Sequence, residues 1–131
     1  MTTYLDTSAA MKAIIAEPES NALRQTVDDL ADTDDELVSS WLLHTELHCA
    51  ATRRAEIPAA FVGQLLADVS LVDITREHLV IGASARWGLE AGDAIHVATA
   101  LFLGVDQIIT YDREMIDVLC RIGIPVLSPG A

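Results

Sequence analysis

The sequence predicts an α/β protein: a parallel β-sheet with helices on both faces. Three observations predict it. Short apolar strand segments alternate with helical segments along all 131 residues. No two-residue hairpin turn joins any pair of strands, so each strand must return through a helix and run parallel to its neighbour. The clearest strand carries the apolar pair Ile108-Ile109, as a strand buried on both faces does.

The elements follow in order. Thr2 to Asp6 reads as a strand. Ser8 starts a helix that runs to about Ala16, where Pro18 breaks it. Glu19 to Asp29 is helical, with Ala22, Leu23, Val27 and Leu30 at helical spacing. An acidic loop follows, and Leu37-Val38-Ser39 is a short strand. Ser40 is a natural N-cap for a helix that reaches about Arg54. Pro58 suits the first position of the next helix, which carries Phe61, Leu65 and Leu66. Leu71 to Ile74 is a strand. Thr75 caps a helix with Glu77 in its first turn, ending near Gly88. An apolar helix spans about Asp93 to Leu103 and stops at Gly104. Residues 107–110 form a strand, 113–122 a helix and 125–127 a last short strand.

The length is that of one domain, residues 1–131, able to bury roughly two-thirds of the surface the unfolded chain exposes. With 51% hydrophobic residues the chain should fold. No apolar run approaches the ~20 residues of a membrane helix. The N-terminus enters a strand directly, without the basic and apolar regions of a signal peptide, so a cytoplasmic protein is expected. Cys49 and Cys120 lie in apolar helical patterns and are expected to be reduced, buried thiols.

The net charge is −12, from 20 acids against 8 bases. That field repels nucleic acid at long range and attracts basic partners. A nucleic-acid substrate would need local cations, a bound metal or a partner surface. Part of the excess is one solvated loop containing Asp28, Asp29, Asp32, Asp34, Asp35 and Glu36.

Four other acids stand out by context. Asp6 and Asp112 leave strands at the sheet edge where α/β proteins bind ligands. Glu46 has Leu42, Leu43, Cys49 and Ala50 as its helical neighbours, which turns it inward, where a carboxylate needs a partner or a metal. Asp93 precedes a helix that is apolar on nearly every side. Each has an ordinary alternative: a turn at Asp6, helix caps at Asp93 and Asp112, a buried arginine for Glu46. Their joint occurrence points to a site. Converging carboxylates repel one another, and a divalent cation relieves the repulsion. Oxygen-only ligands suit Mg²⁺ or Mn²⁺ rather than zinc. Such an ion can activate water and stabilise charge on a phosphate under attack, so the implied chemistry is phosphodiester hydrolysis.

Four segments carry a family resemblance. They are Tyr4-Leu5-Asp6-Thr7-Ser8-Ala9, Thr45-Glu46-Leu47, Asp93-Ala94-Ile95-His96-Val97-Ala98-Thr99-Ala100 and Ile109-Thr110-Tyr111-Asp112-Arg113. In this order and length they resemble the motifs of PIN-domain ribonucleases, most closely the VapC toxins of toxin–antitoxin pairs. The resemblance implies a three-layer α/β/α sandwich with a central parallel sheet. It implies Mg²⁺- or Mn²⁺-dependent endonucleolytic cleavage of RNA, which arrests translation and growth until an antitoxin binds. By motif, Asp6 and Asp93 are the most direct metal ligands. Glu46 and Asp112 complete the acidic site, directly or through water. Thr110 matches a hydroxyl residue that holds water or a carboxylate. Gly92 departs from the pattern, since relatives often carry a larger or basic residue there.

Lys12 and Arg113, close in sequence to site acids, are the first candidates for phosphate contacts; Arg53, Arg54 and Arg86 are weaker ones. His44 and His48 flank Glu46, but His-Thr-Glu-Leu-His is not the zinc order His-Glu-x-x-His and points to surface or partner-facing histidines. His96 reads as a buried polar residue behind the site. Trp41 and Trp87 read as core or dimer residues, and 5% aromatic content argues against a base-stacking surface.

The expected partners are RNA, a second copy in a homodimer, and a cognate antitoxin with a basic segment drawn to the acidic pocket. Two other enzyme classes fail on particular residues. A receiver domain needs a lysine on a late loop, and none follows Lys12. A haloacid-dehalogenase site needs an acid two residues after its first aspartate, where Ser8 stands. The remaining alternative is a PIN-like scaffold that binds RNA or protein without cutting.

Overall fold

The computed structural model describes residues 1–54 and 56–131. The elements run β1 (Thr2–Leu5), α1 (Thr7–Ile14), α2 (Ser20–Ala31), β2 (Glu36–Ser40), α3 (Trp41–Arg53), α4 (Ala59–Leu66), β3 (Ser70–Val72), α5 (Arg76–Ser84), α6 (Ala91–Leu103), β4 (Gln107–Ile109), α7 (Arg113–Ile122) and β5 (Val126–Leu127). The five strands form one sheet in the order β3-β2-β1-β4-β5. Every pairing is parallel, with Thr3 opposite both Leu37 and Gln107.

Side chains alternate across a strand, and the two faces of this sheet show it. Leu5, Leu37 and Ile109 point to one face, where they pack with Ala9, Leu23, Leu47 and Val62 of α1 to α4. Tyr4, Val38 and Ile108 point to the other, against Val97 and Ala100 of α6 and Met115 and Leu119 of α7. Helix α5 covers α6 from outside. The result is the three-layer α/β/α sandwich expected from the sequence. No helix among the described residues is long and apolar enough to cross a membrane.

Topology places the site. The chain steps outward from β1 to β2 and β3, then crosses back to pair β4 on the other side of β1. The seam between the C-terminal ends of β1 and β4 is the switch point where open α/β sheets bind ligands. The pairing continues one residue beyond the strand, with Asp6 N donating to the Ile109 carbonyl at 3.1 Å. Asp6 and Thr110 therefore leave the sheet side by side.

Several element ends differ from expectation. Helix α1 stops at Ile14 because Ile15 is already extended. Helix α5 ends at Ser84, well before Gly88. Helix α6 begins at Ala91, with Glu90 at the cap position, so Asp93 lies inside the first turn rather than capping it. Gly92 is accommodated inside that first turn. Pro58 is the residue before α4 rather than its first. The caps at Ser40 and Thr75 are where the sequence puts them; His78 and Thr75 also bond each other's backbone reciprocally. Gly104 and Gly123 close α6 and α7 in the left-handed conformation, with φ of 65° and 80°. Cys49 and Cys120 are free as expected but exposed rather than buried. Their apolar neighbours Leu47 and Leu119 occupy the inward stripe of each helix, and the cysteines lie beside it.

Candidate active site

Asp6 is 2% exposed and caps α1. Its Oδ2 accepts from Ser8 Oγ at 2.7 Å, from Thr110 Oγ1 at 2.8 Å and from Ser8 N at 3.3 Å. Each hydroxyl has one proton and spends it on Asp6. Their own lone pairs accept from the backbone, Tyr111 N to Ser8 and Asp112 N to Thr110. So β4 and the chain after it fix the very oxygens that fix Asp6. Its other oxygen, Oδ1, is fully buried and has no partner among the described residues. An unpaired buried carboxylate oxygen costs free energy unless a ligand answers it.

Glu46 follows the same rule. Its Oε1 accepts from Thr7 Oγ1 at 2.8 Å and from His96 Nε2 at 2.6 Å. Its Oε2 lies over Gly92, where an added Cβ would stand 3.5 Å away. Burial pushes this carboxyl's pKa up, but the hydrogen bond and charge of His96, with the Thr7 hydroxyl, outweigh it and hold it below the ordinary value. Asp112 caps α7 through Oδ1, which accepts from Met115 N at 2.9 Å. In each of these three acids one oxygen is held by the protein.

Asp93 differs. Among the described residues nothing donates to it, and it stands half-buried in the first turn of α6. Burial raises its pKa first, then the charges of Asp6 and Asp112, to about 6 against an ordinary 3.8; His96 pulls the other way, and Glu46 adds a smaller push upward. Asp93 therefore lies within reach of the charge of all three other acids. The acids stay apart: among the described residues no three carboxylates, imidazoles or thiols stand close enough together to grip an ion. Like charges facing each other across a shared space stay apart. An orphaned Asp6 oxygen, an Asp93 whose charged form is disfavoured and an all-oxygen donor set fit a hard divalent cation.

The arrangement has relatives. The PIN-domain family model matches residues 3–119. The chain is 36% identical over 130 residues to the ribonuclease VapC46 of Mycobacterium tuberculosis, covering 97% of each. It is 32% identical over 136 residues to VapC35 of the same organism, covering 97% of this chain and 96% of the other. The chain belongs to the PIN-domain family and, within it, to the VapC-type ribonucleases. Solved structures share the fold at low identity. The VapBC2 structure from Rickettsia felis, bound to a promoter DNA fragment, matches with a TM-score of 0.76 and 15% identity, covering 98% of both chains. VapC20 of Mycobacterium tuberculosis, a toxin that cleaves the sarcin-ricin loop, matches at 0.71 and 13%, covering 88% of this chain and 93% of the other.

Within this PIN fold, Asp6, Glu46, Asp93 and Asp112 come to one edge, and Thr110 is bonded to Asp6. Arg113 is exposed at the start of α7 beside Asp112, with no ion pair among the described residues. Lys12 is not free. Its ammonium is paired with Glu17 at 2.6 Å and Glu19 at 2.9 Å and lies 4.8 Å above the Tyr111 ring. It braces α1 against the start of α2, and reaching a phosphate would break both pairs. Trp41 is exposed and edge-on to His44, whose ring neighbours His48, so this aromatic row lies on the outer surface of α3. Sequence reading passed over Thr7, Ser8 and Tyr4. The signal for Ser8 and Thr110 was their spacing, two residues from a site acid; nothing local marks Thr7 or Tyr4.

Proposed function

We propose that this PIN-domain chain is a Mg²⁺- or Mn²⁺-dependent endoribonuclease that acts as the toxin of a VapBC-type pair. The observation that carries the reading is the buried, unpartnered Oδ1 of Asp6, beside an Asp93 whose pKa burial and the charges of Asp6, Asp112 and Glu46 raise to about 6.

Each residue has a task. Ser8 and Thr110 occupy Asp6 Oδ2, so Oδ1 is the atom left to hold the cation. Glu46 and Asp112 each keep one oxygen on the protein, so the second oxygen of each would be free to help hold a cation. Asp93 completes the set once deprotonated. When bound, the ion supplies activation of water and neutralisation of charge on the scissile phosphate. Arg113, exposed beside Asp112, serves the phosphate of the bound RNA; Lys12 does so only if its glutamates release it. The acids themselves repel RNA, so binding is expected to depend on cation loading.

The partner reading rests on charge and shape. A chain of net charge −12 attracts a basic antitoxin segment. A groove of about 390 Å³ between α1, α2 and α4, lined by Ile14, Val27, Phe61 and Leu65 together with Arg24, Asp28 and Asp68, suits a largely apolar segment. Exposed Leu79 and Val80 on α5, with Leu101, Phe102 and Leu103 on α6, support homodimerisation. Light scattering during size exclusion reads the dimer directly.

The test is cleavage of a mixed RNA pool by purified protein with Mg²⁺ or Mn²⁺, beside growth arrest in cells. Cleavage that EDTA abolishes, with Asp6→Asn relieving both effects, is the expected result. No cleavage with either ion and undiminished arrest by Asp6→Asn would sink the reading. Mn²⁺ calorimetry separates the scaffold alternative, which expects no difference between the wild type and Asp93→Asn.

A further inference from the structure

We propose that His96 is a positioning residue for the Glu46 carboxylate, itself anchored by Tyr4, so that a buried phenol–imidazole pair decides which Glu46 oxygen is presented to the cation. The inference rests on the reading that Glu46 belongs to a cation site.

His96 lies on α6 and is 1% exposed, with both ring nitrogens engaged. Nδ1 is 2.7 Å from the Tyr4 hydroxyl and Nε2 is 2.6 Å from Glu46 Oε1. The Tyr4 and His96 rings meet edge to face, with centroids 5.7 Å apart. The Thr7 hydroxyl, 3.0 Å from Nε2, donates to the same Glu46 oxygen. Two elements therefore meet at one carboxylate, the imidazole from α6 and the hydroxyl from α1, and the phenol from β1 holds the imidazole from behind.

The chemistry of the pair is one-directional. A phenol keeps its proton at neutral pH, so the buried Tyr4 hydroxyl, 2.7 Å from Nδ1, has one to donate. Donation to Nδ1 fixes the neutral imidazole as the Nε2–H tautomer. The imidazolium also carries a proton on Nε2. In either form His96 is a donor to Oε1 and cannot be an acceptor there. The chain ends at a phenol that is fully buried with Ser39 and Ser40 beside it, so it has no outlet to solvent and holds orientation rather than exporting a proton. With Oε1 saturated by two donors, Oε2 is the remaining oxygen, and it lies over Gly92, one residue from Asp93. Outer partners of this kind commonly set metal affinity by ~10–100-fold.

The experiment is Mn²⁺ calorimetry on the RNA-free full chain, with thermal melts in EDTA to confirm folding. His96→Leu removes both bonds, His96→Gln keeps a donor near the Nε2 position, and Tyr4→Phe removes one hydroxyl. The expected result is Mn²⁺ affinity at least ~10-fold weaker in His96→Leu, recovered to within several-fold of wild type in His96→Gln, with Tyr4→Phe between them. Wild-type affinity in folded His96→Leu overturns the proposal, as does His96→Gln losing as much as His96→Leu, since mere space-filling predicts no rescue. If His96→Leu does not fold, Tyr4→Phe decides: weakened binding supports the proposal and wild-type affinity overturns it. Asp6→Asn is the control. If it binds Mn²⁺ as wild type does, the cation site itself fails; if it loses binding while His96→Leu does not, only the role of His96 fails.

Discussion

At the scale of single residues, three of the four acids, Asp6, Glu46 and Asp112, have one oxygen held by the protein and one left over. Asp6 is the clearest case, with Oδ2 held by two hydroxyls and Oδ1 bare. Thr110→Val removes one of those donors from a buried carboxylate. It is expected to cost roughly 1–3 kcal/mol of stability in EDTA, read by urea denaturation, whereas Thr110→Ser keeps the hydroxyl and should cost little. Equal stability of the valine and serine variants would show that this bond is not needed. Asp93 predicts a pH dependence. Its folded pKa, raised to about 6 by burial and by Asp6, Asp112 and Glu46, lies above the ordinary 3.8. The folded state thus binds this proton more tightly than the unfolded state. Stability from this group is fully present below the unfolded value and is lost as pH rises through the folded one. In EDTA at pH 7, Asp93→Asn should melt higher than wild type, and the gap should close by about pH 4. With Mn²⁺ at pH 7 the order should reverse, because the ion binds the charged form. A gap that ignores pH removes this account of Asp93.

At the scale of elements, the alternation of apolar strands and helices was legible because each side chain's face follows from local spacing. Leu5 and Ile109 face α1 to α4 and Tyr4 and Ile108 face α6 and α7, as period two demands. Helix starts were less legible. Gly92 followed by Asp93 reads as a break and a cap, yet α6 already begins at Ala91. The four acids were legible because each stands at an element end or on an apolar face. The pair behind them was not: Tyr4 and His96 are separated by 92 positions, and only the crossing of β1 beneath α6 joins them. Gly92 also yields a prediction. A Cβ there meets Glu46 Oε2 at an ordinary 3.5 Å, so Gly92→Ala fits without moving the carboxylate. It should stabilise α6 by about 0.5–1 kcal/mol and leave Mn²⁺ affinity unchanged. Gly92→Leu should displace Oε2 and weaken the ion. The two variants behaving alike in calorimetry would mean that Glu46 Oε2 does not face the cation.

At the scale of the whole molecule, two electrostatic effects overlap and can be pulled apart. A net charge of −12 makes the chain repel itself, and the acids at the β1/β4 edge concentrate that repulsion. Monovalent salt screens exposed charges over about 10 Å at 0.1 M. It should therefore raise the melting temperature of the cation-free protein gradually, through all the acids at once. A divalent ion at the site should act at far lower concentration, saturate, and stabilise by mass action on the folded state alone. The discriminating variant is Asp6→Asn, which removes one charge from twenty acids and so barely alters the salt response, but alters the carboxylate whose unpartnered oxygen is proposed to hold the ion. Melts in NaCl should give nearly parallel rises for wild type and variant. Melts in sub-millimolar Mn²⁺ should give a saturating rise for wild type and none for Asp6→Asn. If Mn²⁺ stabilises both equally, the ion is acting as a general counterion to an acidic surface, and the converging carboxylates are only a concentrated part of that surface.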